Sequence, residues 1–408
     1  MGFGKGNLRS IFEFYRIKPF DFMKNKYLFL CLICWSLTNV NAQSSILRPS
    51  YLTYQMDSLT KKTILISLDT LFSQIKNNSI DTLLIGKGRN DFNVLKSLAG
   101  TEAYKKDSLS DFYKKQLINL YPISKNEYWI SLAYIGVREN GVPILKNIIN
   151  LVATKTGNNI TFSLPLNFLT KSWKSKIVGN ITYYFRDRIN LQKAKAFDVK
   201  NATIASKLGL KPEKLDFYMC NNYQEISQLL GYEYDLESNG KTRDGYGVDN
   251  NTIFSTMNNE DFSHDVFHFY SGRMRNGIKG NRIVEEGIAY SWGNAYYTNS
   301  DGEMIEQKEL VGFLKNYVKE NPSINLFQLF SKDPKIFNTL APEISVKSAI
   351  SSLLCDEVER QKGLVGISEL IKGGRGDDAF FKTLNSLVGI NTANFETEVK
   401  KLILAYRK

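Results

Sequence analysis

Residues 261–270 read Asp-Phe-Ser-His-Asp-Val-Phe-His-Phe-Tyr, and residues 281–290 read Asn-Arg-Ile-Val-Glu-Glu-Gly-Ile-Ala-Tyr. The first segment holds both histidines of the 408-residue sequence, His264 and His268. Because residues i and i+4 of a helix lie on the same face, the two imidazoles can point at one place. Two histidines arranged in this way form half of a metal site, and a carboxylate on a second helix would complete it.

The second segment offers that carboxylate. Catalytic zinc sites have three protein ligands and leave a fourth position open for water. Glu286 fits as the third ligand, so the sequence predicts one Zn²⁺ ion bound by His264, His268 and Glu286. We interpret the neighbouring Glu285 either as a residue on a solvated helix face or as a hydrogen-bonding partner of a ligating histidine. The competing interpretation of the pair is a helix with two incidental histidines.

Composition excludes several classes of protein. Two histidines cannot form a three-histidine metal site, and no catalytic triad can have its histidine elsewhere in the chain. A hydrophobic content of 43% and a charged content of 23% indicate a globular chain rather than a disordered one. Part of the net charge of +12 lies in residues 1–42, and the remainder is spread thinly without a basic helix face, so we predict no nucleic-acid partner.

Residues 23–42 have the features of a secretory signal peptide. Met23 to Lys26 is a basic start, Tyr27 to Leu37 is an apolar core, and Ala42 is a small residue at the expected cleavage site. The core is shorter than the roughly 20 apolar residues that a membrane-spanning helix needs. We therefore expect export to the periplasm or the extracellular space, and we interpret residues 1–22 as an upstream extension.

The predicted mature chain has no further apolar run of 18 residues, so no transmembrane segment is expected in it. It retains two cysteines, Cys220 and Cys355. Their spacing leaves open whether they pair. The sequence predicts no particular oligomeric state.

Residues 43–185 are predicted to form an α+β accessory domain. Apolar positions from Leu59 to Ile75 recur with helical spacing, and Asp57 and Ser58 are suitable caps. Four segments rich in β-branched and aromatic residues follow, separated by turn signals. These predicted strands are 128–135, 144–153, 160–166 and 177–185. The order indicates a helix packed on a curved antiparallel sheet.

The pattern changes near residue 186, where we divide the mature chain. Residues 186–408 are predicted to form a second domain with a small α/β lobe and a mostly helical carboxyl-terminal lobe, so the whole chain belongs to the α+β class. The small lobe is predicted as helix 189–208, strand 214–220, helix 224–230, loop 236–250 and strand 252–256. The predicted helices that follow are 261–271, 281–297, 303–319, 324–330, 345–359, 364–371, 377–387 and 392–406.

The two opening segments resemble the zinc site of gluzincin-type metallopeptidases, whose pattern is His-Glu-x-x-His with a Glu ligand on the following helix. Val-Glu-Glu-Gly-Ile-Ala at residues 284–289 is similar to the Asn-Glu-Gly-Phe-Ala stretch of the aminopeptidase branch, where the Glu before Gly binds zinc. This resemblance implies that Glu286 rather than Glu285 is the ligand. More loosely, residues 186–408 resemble the peptidase-MA-like domain of secreted bacterial proteins, and residues 43–185 are not covered.

One residue departs from the family pattern. Asp265 stands where the family has the Glu that acts as general base on the metal-activated water. The shorter side chain places its carboxylate roughly 1–1.5 Å farther away, and a misplacement of about 1 Å can reduce a rate about 100-fold. Metal binding does not depend on this residue. Asp265 is therefore either the working base or a structural acid beside the metal.

A second departure concerns the oxyanion. Some members of the family stabilise it with another histidine, and this sequence has none to spare. A tyrosine or an arginine would have to replace it, although several of these aromatic residues will simply pack in the core. The candidates are Tyr270, Tyr290, Tyr296, Tyr297, Arg273 and Arg282.

The sequence thus predicts an exported zinc metallopeptidase that hydrolyses peptide bonds of a peptide or protein substrate, with Asp265 as its catalytic residue. The first alternative is a catalytically weak or inactive metallopeptidase-like protein that serves as an extracellular binding module. The second is an envelope structural protein without a metal.

Overall fold

The computed structural model describes residues 46–88, 90–105, 111–241, 246–297, 303–341 and 343–407. The predicted extension 1–22 and signal peptide 23–42 lie outside these ranges. Helices and three β-sheets occur together in the described part, which confirms the α+β class. None of the helices described combines the length and the apolar character that a membrane span requires.

The strands, in chain order, are β1 (Ile46–Leu47), β2 (Lys114–Pro122), β3 (Glu127–Val137), β4 (Pro143–Thr156), β5 (Asn159–Ser163), β6 (Lys174–Val178), β7 (Ile181–Phe185), β8 (Leu215–Met219), β9 (Tyr232–Asp235), β10 (Tyr246–Asp249), β11 (Thr252–Ser255), β12 (Tyr296–Tyr297) and β13 (Met304–Ile305). The first sheet has the order β1-β2-β3-β4-β5, and β9 adds to it by pairing with β4. The second has the order β10-β11-β8-β7-β6, and β12 pairs with β13.

The helices are α1 (Ser58–Lys76), α2 (Asp91–Ser97), α3 (Ala99–Glu102), α4 (Leu166–Leu169), α5 (Leu191–Lys207), α6 (Tyr223–Leu229), α7 (Ser263–Arg275), α8 (Arg282–Trp292), α9 (Gln307–Glu320), α10 (Leu326–Lys332), α11 (Val346–Lys372), α12 (Gly376–Val388) and α13 (Phe395–Ala405). A short 3₁₀ helix occupies Thr82–Leu84. The helical spacing and the cap predicted for α1 are confirmed, because the Asp57 side chain accepts a hydrogen bond from the Thr60 amide at 2.8 Å.

Helix α1 packs on the first sheet, and the two elements form the first core between them. Ile64, Leu68 and Phe72 of this helix are fully buried together with Leu132 and Leu151 of the central strands. The strands predicted at 128–135, 144–153 and 160–166 correspond to β3, β4 and β5. These strands pair antiparallel in sequence order, as predicted for an antiparallel sheet.

The prediction of one strand at 177–185 is wrong. The chain forms a hairpin there, with β6 and β7 joined at Gly179, whose φ of +58° is a conformation that glycine adopts without strain. This hairpin joins the second sheet, where β7, β8 and β11 run parallel. The predicted loop 236–250 is also corrected, since Tyr246–Asp249 within it form β10.

The first sheet takes in residues from later in the chain. β9 pairs antiparallel with β4, with Asn147 opposite Asp235, and Ile226 and Leu229 of α6 are buried in the same core as α1. The first core thus includes side chains from both sides of residue 186. The domain division at that residue stays a prediction.

The carboxyl-terminal helices form the second core. The helix predicted at 281–297 ends earlier, at Trp292, because Gly293 takes a non-helical conformation and the chain continues into β12. The helices predicted at 345–359 and 364–371 lie on the two sides of a kink within α11, at Gly363, whose φ of +62° and ψ of −159° are non-helical. Its buried residues Ile350 and Leu354 pack in the core that also contains α7 and α8.

Both described cysteines are free and buried, Cys220 in the first core and Cys355 in the second. Burial raises the pKa of the Cys220 thiol to about 12 and that of Cys355 well above its usual value. We therefore expect neither thiol to react with N-ethylmaleimide at pH 7.5 in the native protein, and both to react after unfolding in guanidinium chloride. Peptide mapping by mass spectrometry checks this. Rapid native labelling of either residue would contradict it.

Candidate metal centre

Helix α7 presents its two histidines because its other side is anchored in the core. Val266, Phe267 and Tyr270 are completely buried. His264 and His268 lie on the half-buried side, with 18% and 30% of their side chains exposed. The sequence prediction that both residues share one helical face therefore agrees with the geometry.

Helix α8 carries Glu286 and lies unusually close to α11. A Cβ atom added to Gly287 would lie 2.8 Å from the Cβ atom and 2.9 Å from the carbonyl carbon of Ser351. Any larger residue would push the two helices apart. The glycine after Glu286 is thus explained by packing, which holds the helix that carries Glu286 against α11.

The three predicted ligands come together. The Nε2 atoms of His264 and His268 are 3.2 Å apart. The two Glu286 oxygens lie 3.6 Å from Nε2 of His264 and 3.7 Å from Nε2 of His268, respectively. One ligand atom from each residue lies within 4.8 Å of the others, an arrangement that could hold a metal ion.

A backbone carbonyl orients His264. Its Nδ1 atom lies 2.9 Å from the carbonyl oxygen of Asn294, and because a carbonyl can only accept, Nδ1 must carry the proton. The lone pair of Nε2 is then left for a metal. Asn294 is itself fixed, since its side chain donates to Asp261 at 2.7 Å and accepts from Lys200 at 2.9 Å.

A carboxylate orients His268. Oε2 of Glu285 lies 3.4 Å from Nδ1 of His268, while its Oε1 accepts a hydrogen bond from Ser271 at 2.6 Å and lies 3.1 Å from Nε of Arg275. Glu285 is 7% exposed. Of the two interpretations of Glu285, the structure agrees with the hydrogen-bonding partner and not with a solvated residue.

The carboxylates around α7 create a field that favours a cation. Burial lowers the pKa of His268, whereas Glu285, Glu286 and Asp265 raise it. The three carboxylates together outweigh burial, so the pKa of His268 is shifted upward. Burial raises the pKa of Asp265; Glu286 adds to this shift and the two histidines oppose it. Asp265 therefore interacts with all three ligands. A field that favours a protonated imidazole also favours a metal cation.

The oxyanion candidates fall into three groups. Tyr270 and Arg273 are engaged elsewhere, because Tyr270 is buried and donates to Asn201 at 2.8 Å, while Arg273 pairs with Glu213. Tyr290 packs against His264 with ring centroids 5.8 Å apart, and burial raises its pKa to about 12. Arg282 lines the cleft that contains Glu286. The side chains of Tyr296 and Tyr297 lie outside the described part.

The comparisons with known proteins add no family to this geometry. No protein-family model matches the sequence, and no curated protein matches it either. The resemblance to gluzincin-type metallopeptidases therefore stays a prediction from the two site segments.

Replacing Glu285 by glutamine tests its orienting role. We expect metal affinity about 10–100-fold weaker, because the amide interacts less strongly with a metal-ligating histidine and loses the ion pair with Arg275. Competition with a chromophoric chelator measures the change. The matched control is Glu369→Gln, which alters an exposed carboxylate on α11 and should bind metal like the wild type. Equal affinities for the two variants would contradict the role of Glu285.

Proposed function

We propose that this protein is an exported zinc metallopeptidase that hydrolyses peptide bonds. The observation that carries the proposal is the spacing of the three ligand atoms. Two ligands at about 2.0–2.1 Å from a tetrahedral zinc ion are separated by roughly 3.4 Å. The separations of 3.2, 3.6 and 3.7 Å lie close to that value.

The chemistry of the donors supports the same reading. Two neutral imidazoles and one carboxylate form a ligand set of hydrolytic zinc sites, which keep one position for water. His264 is held in the tautomer that such a site needs, and His268 has the carboxylate partner typical of zinc-ligating histidines. These two orienting contacts favour a metal site over an envelope structural protein without a metal.

Zinc bound by these residues would polarise a peptide carbonyl and lower the pKa of a water molecule. Within the chain, Asp265 is the proposed proton acceptor, because the resemblance implies a general base at this position and because its charge interacts with those of His264, His268 and Glu286. His264 and His268 are kept in position by Asn294 and Glu285, so the ligands need little rearrangement on metal binding.

A peptide-library digest tests the activity. Zinc-loaded protein is incubated with a proteome-derived peptide library, and new termini are identified by mass spectrometry. We expect cleavage that stops on addition of 1,10-phenanthroline and returns when zinc is restored. About one bound zinc per chain with no zinc-dependent cleavage would reject the peptidase.

That last outcome would favour the second candidate, a catalytically weak or inactive binding protein that retains the metal. The observation behind this candidate is the shorter acid at position 265, because zinc binding does not use that side chain whereas proton transfer depends on its reach.

A further inference from the structure

A cleft of about 560 Å³ opens beside the proposed metal ligands. His268 and Glu286 form part of its wall, and Glu285 lies beside them. Four basic residues contribute to the remaining wall: Arg275, Lys279, Arg282 and Arg375. A group bound in this cleft would therefore meet both the ligand cluster and positive charge.

The charges in this cleft do not cancel. Glu285 is occupied by Arg275, Ser271 and His268, and Glu286 belongs to the ligand cluster. Within the described part of the chain, Lys279, Arg282 and Arg375 are exposed and form no ion pair. Three cations remain for a ligand.

These cations come from separate segments of the chain, which a hydrogen bond between a side chain and a backbone carbonyl holds together. The Asn281 side chain accepts a hydrogen bond from the Ile283 amide at the start of α8 and donates to the Gly376 carbonyl at 2.8 Å. This bond brings Arg375, just before α12, to the same cleft as Arg282. Asp377, close to Arg375 in sequence, pairs instead with Lys347 at 3.0 Å.

We propose that this cationic cleft binds a carboxylate of the substrate, so that the protein selects acidic peptides. The inference rests on the proposed peptidase function and adds the substrate class to it. Guanidinium groups bind carboxylates through two parallel hydrogen bonds, and a cleft lined by one sign of charge concentrates the opposite sign. The carboxylate belongs either to an Asp or Glu side chain or to the carboxyl terminus of the peptide.

Peptide binding to the full chain tests the cleft independently of catalysis. Fluorescence anisotropy is measured in the presence of a chelator, so that no cleavage occurs, with labelled peptides that differ only in Asp against Asn. Each peptide is made with a free and with an amidated carboxyl terminus. We expect the peptide with more carboxylates to bind about 10-fold more tightly at 50 mM salt, with a smaller preference at 300 mM.

Variants locate the effect. Arg282→Gln and Arg375→Gln are each expected to reduce the preference about 3- to 5-fold, and the double variant is expected to abolish it. The matched control is Lys382→Gln, which removes an exposed cation on α12 away from the cleft and should keep the full preference. If amidation of the peptide's carboxyl terminus removes the tighter binding, the bound carboxylate is the terminal one. If replacement of Asp by Asn removes it, the bound carboxylate is the side chain. Both outcomes support the proposal.

A protein that binds acidic and amide peptides equally, or a preference that survives in the double variant, would overturn the cationic cleft. These results leave the zinc-dependent digest untouched. Conversely, an absence of zinc-dependent cleavage would overturn the peptidase while the binding preference still decides whether the cleft selects carboxylates.

Discussion

Replacing His264 by alanine is expected to weaken zinc binding about 100- to 1000-fold. Structural zinc sites have apparent binding free energies of about 10–16 kcal/mol, or roughly 2.5–4 kcal/mol for each of four ligands. The full loss of affinity should be observed here, because the sequence has no third histidine that could replace His264 as a ligand. Metal analysis after gel filtration should find about one zinc per chain in the wild type and nearly none in the variant.

The control for this experiment lies on the same helix. Arg273 pairs with Glu213 away from the ligand cluster, so Arg273→Ala disturbs α7 without removing a ligand and should retain zinc. Circular dichroism establishes that each variant is folded. Zinc retained by His264→Ala at the wild-type level would remove the proposed site, and with it the proposed function.

Replacing Asp265 by asparagine is expected to reduce kcat/KM about 100- to 10,000-fold while zinc content stays at the wild-type level. Asparagine has nearly the same shape but cannot accept the proton, and positioned general bases contribute rate factors of this size. The measurement uses a peptide that the library digest identifies as cleaved, with zinc determined on the same samples. A rate unchanged by this substitution would exclude Asp265 as the base.

The opposite substitution measures how well the natural residue works. Asp265→Glu lengthens the side chain by one methylene group, and we expect it to increase kcat/KM about 10- to 100-fold, since reach limits the wild-type acid. A decrease would mean that the helix is adjusted to aspartate. In either case the zinc content should not change, because the ligands are the same.

Much of the fold follows from local patterns in the sequence. α1 has both its apolar spacing and its Asp57 cap within a few residues, so periodicity was sufficient to predict it. β1, β2 and β10 were not predicted as strands, because such short or partly polar segments become strands only through pairing with distant partners. The hairpin at Gly179 was predicted as one strand, since a two-residue turn interrupts the apolar pattern only briefly.

The site divides in the same way. The convergence of His264 and His268 was predictable from their helical spacing, whereas the choice of Glu286 over Glu285 came from the resemblance to gluzincin-type metallopeptidases. The contacts that orient the histidines were less accessible. Asn294 acts through its backbone carbonyl, which any residue type possesses, and it is fixed by Lys200 from a distant helix. The cationic cleft was not predicted, because its residues come from segments that only the tertiary fold brings together.

The pairing of β9 with β4 has a consequence for synthesis of the chain. The strand pairs Asn147 with Asp235, so the amino-terminal sheet stays incomplete on the ribosome until the chain has been made well beyond residue 186. Until then β4 presents unpaired backbone groups, which are the groups that recruit foreign strands. Nascent chains of this protein should therefore need protection from aggregation until β9 arrives, and a fragment ending at residue 185 should be less soluble than one ending after β9.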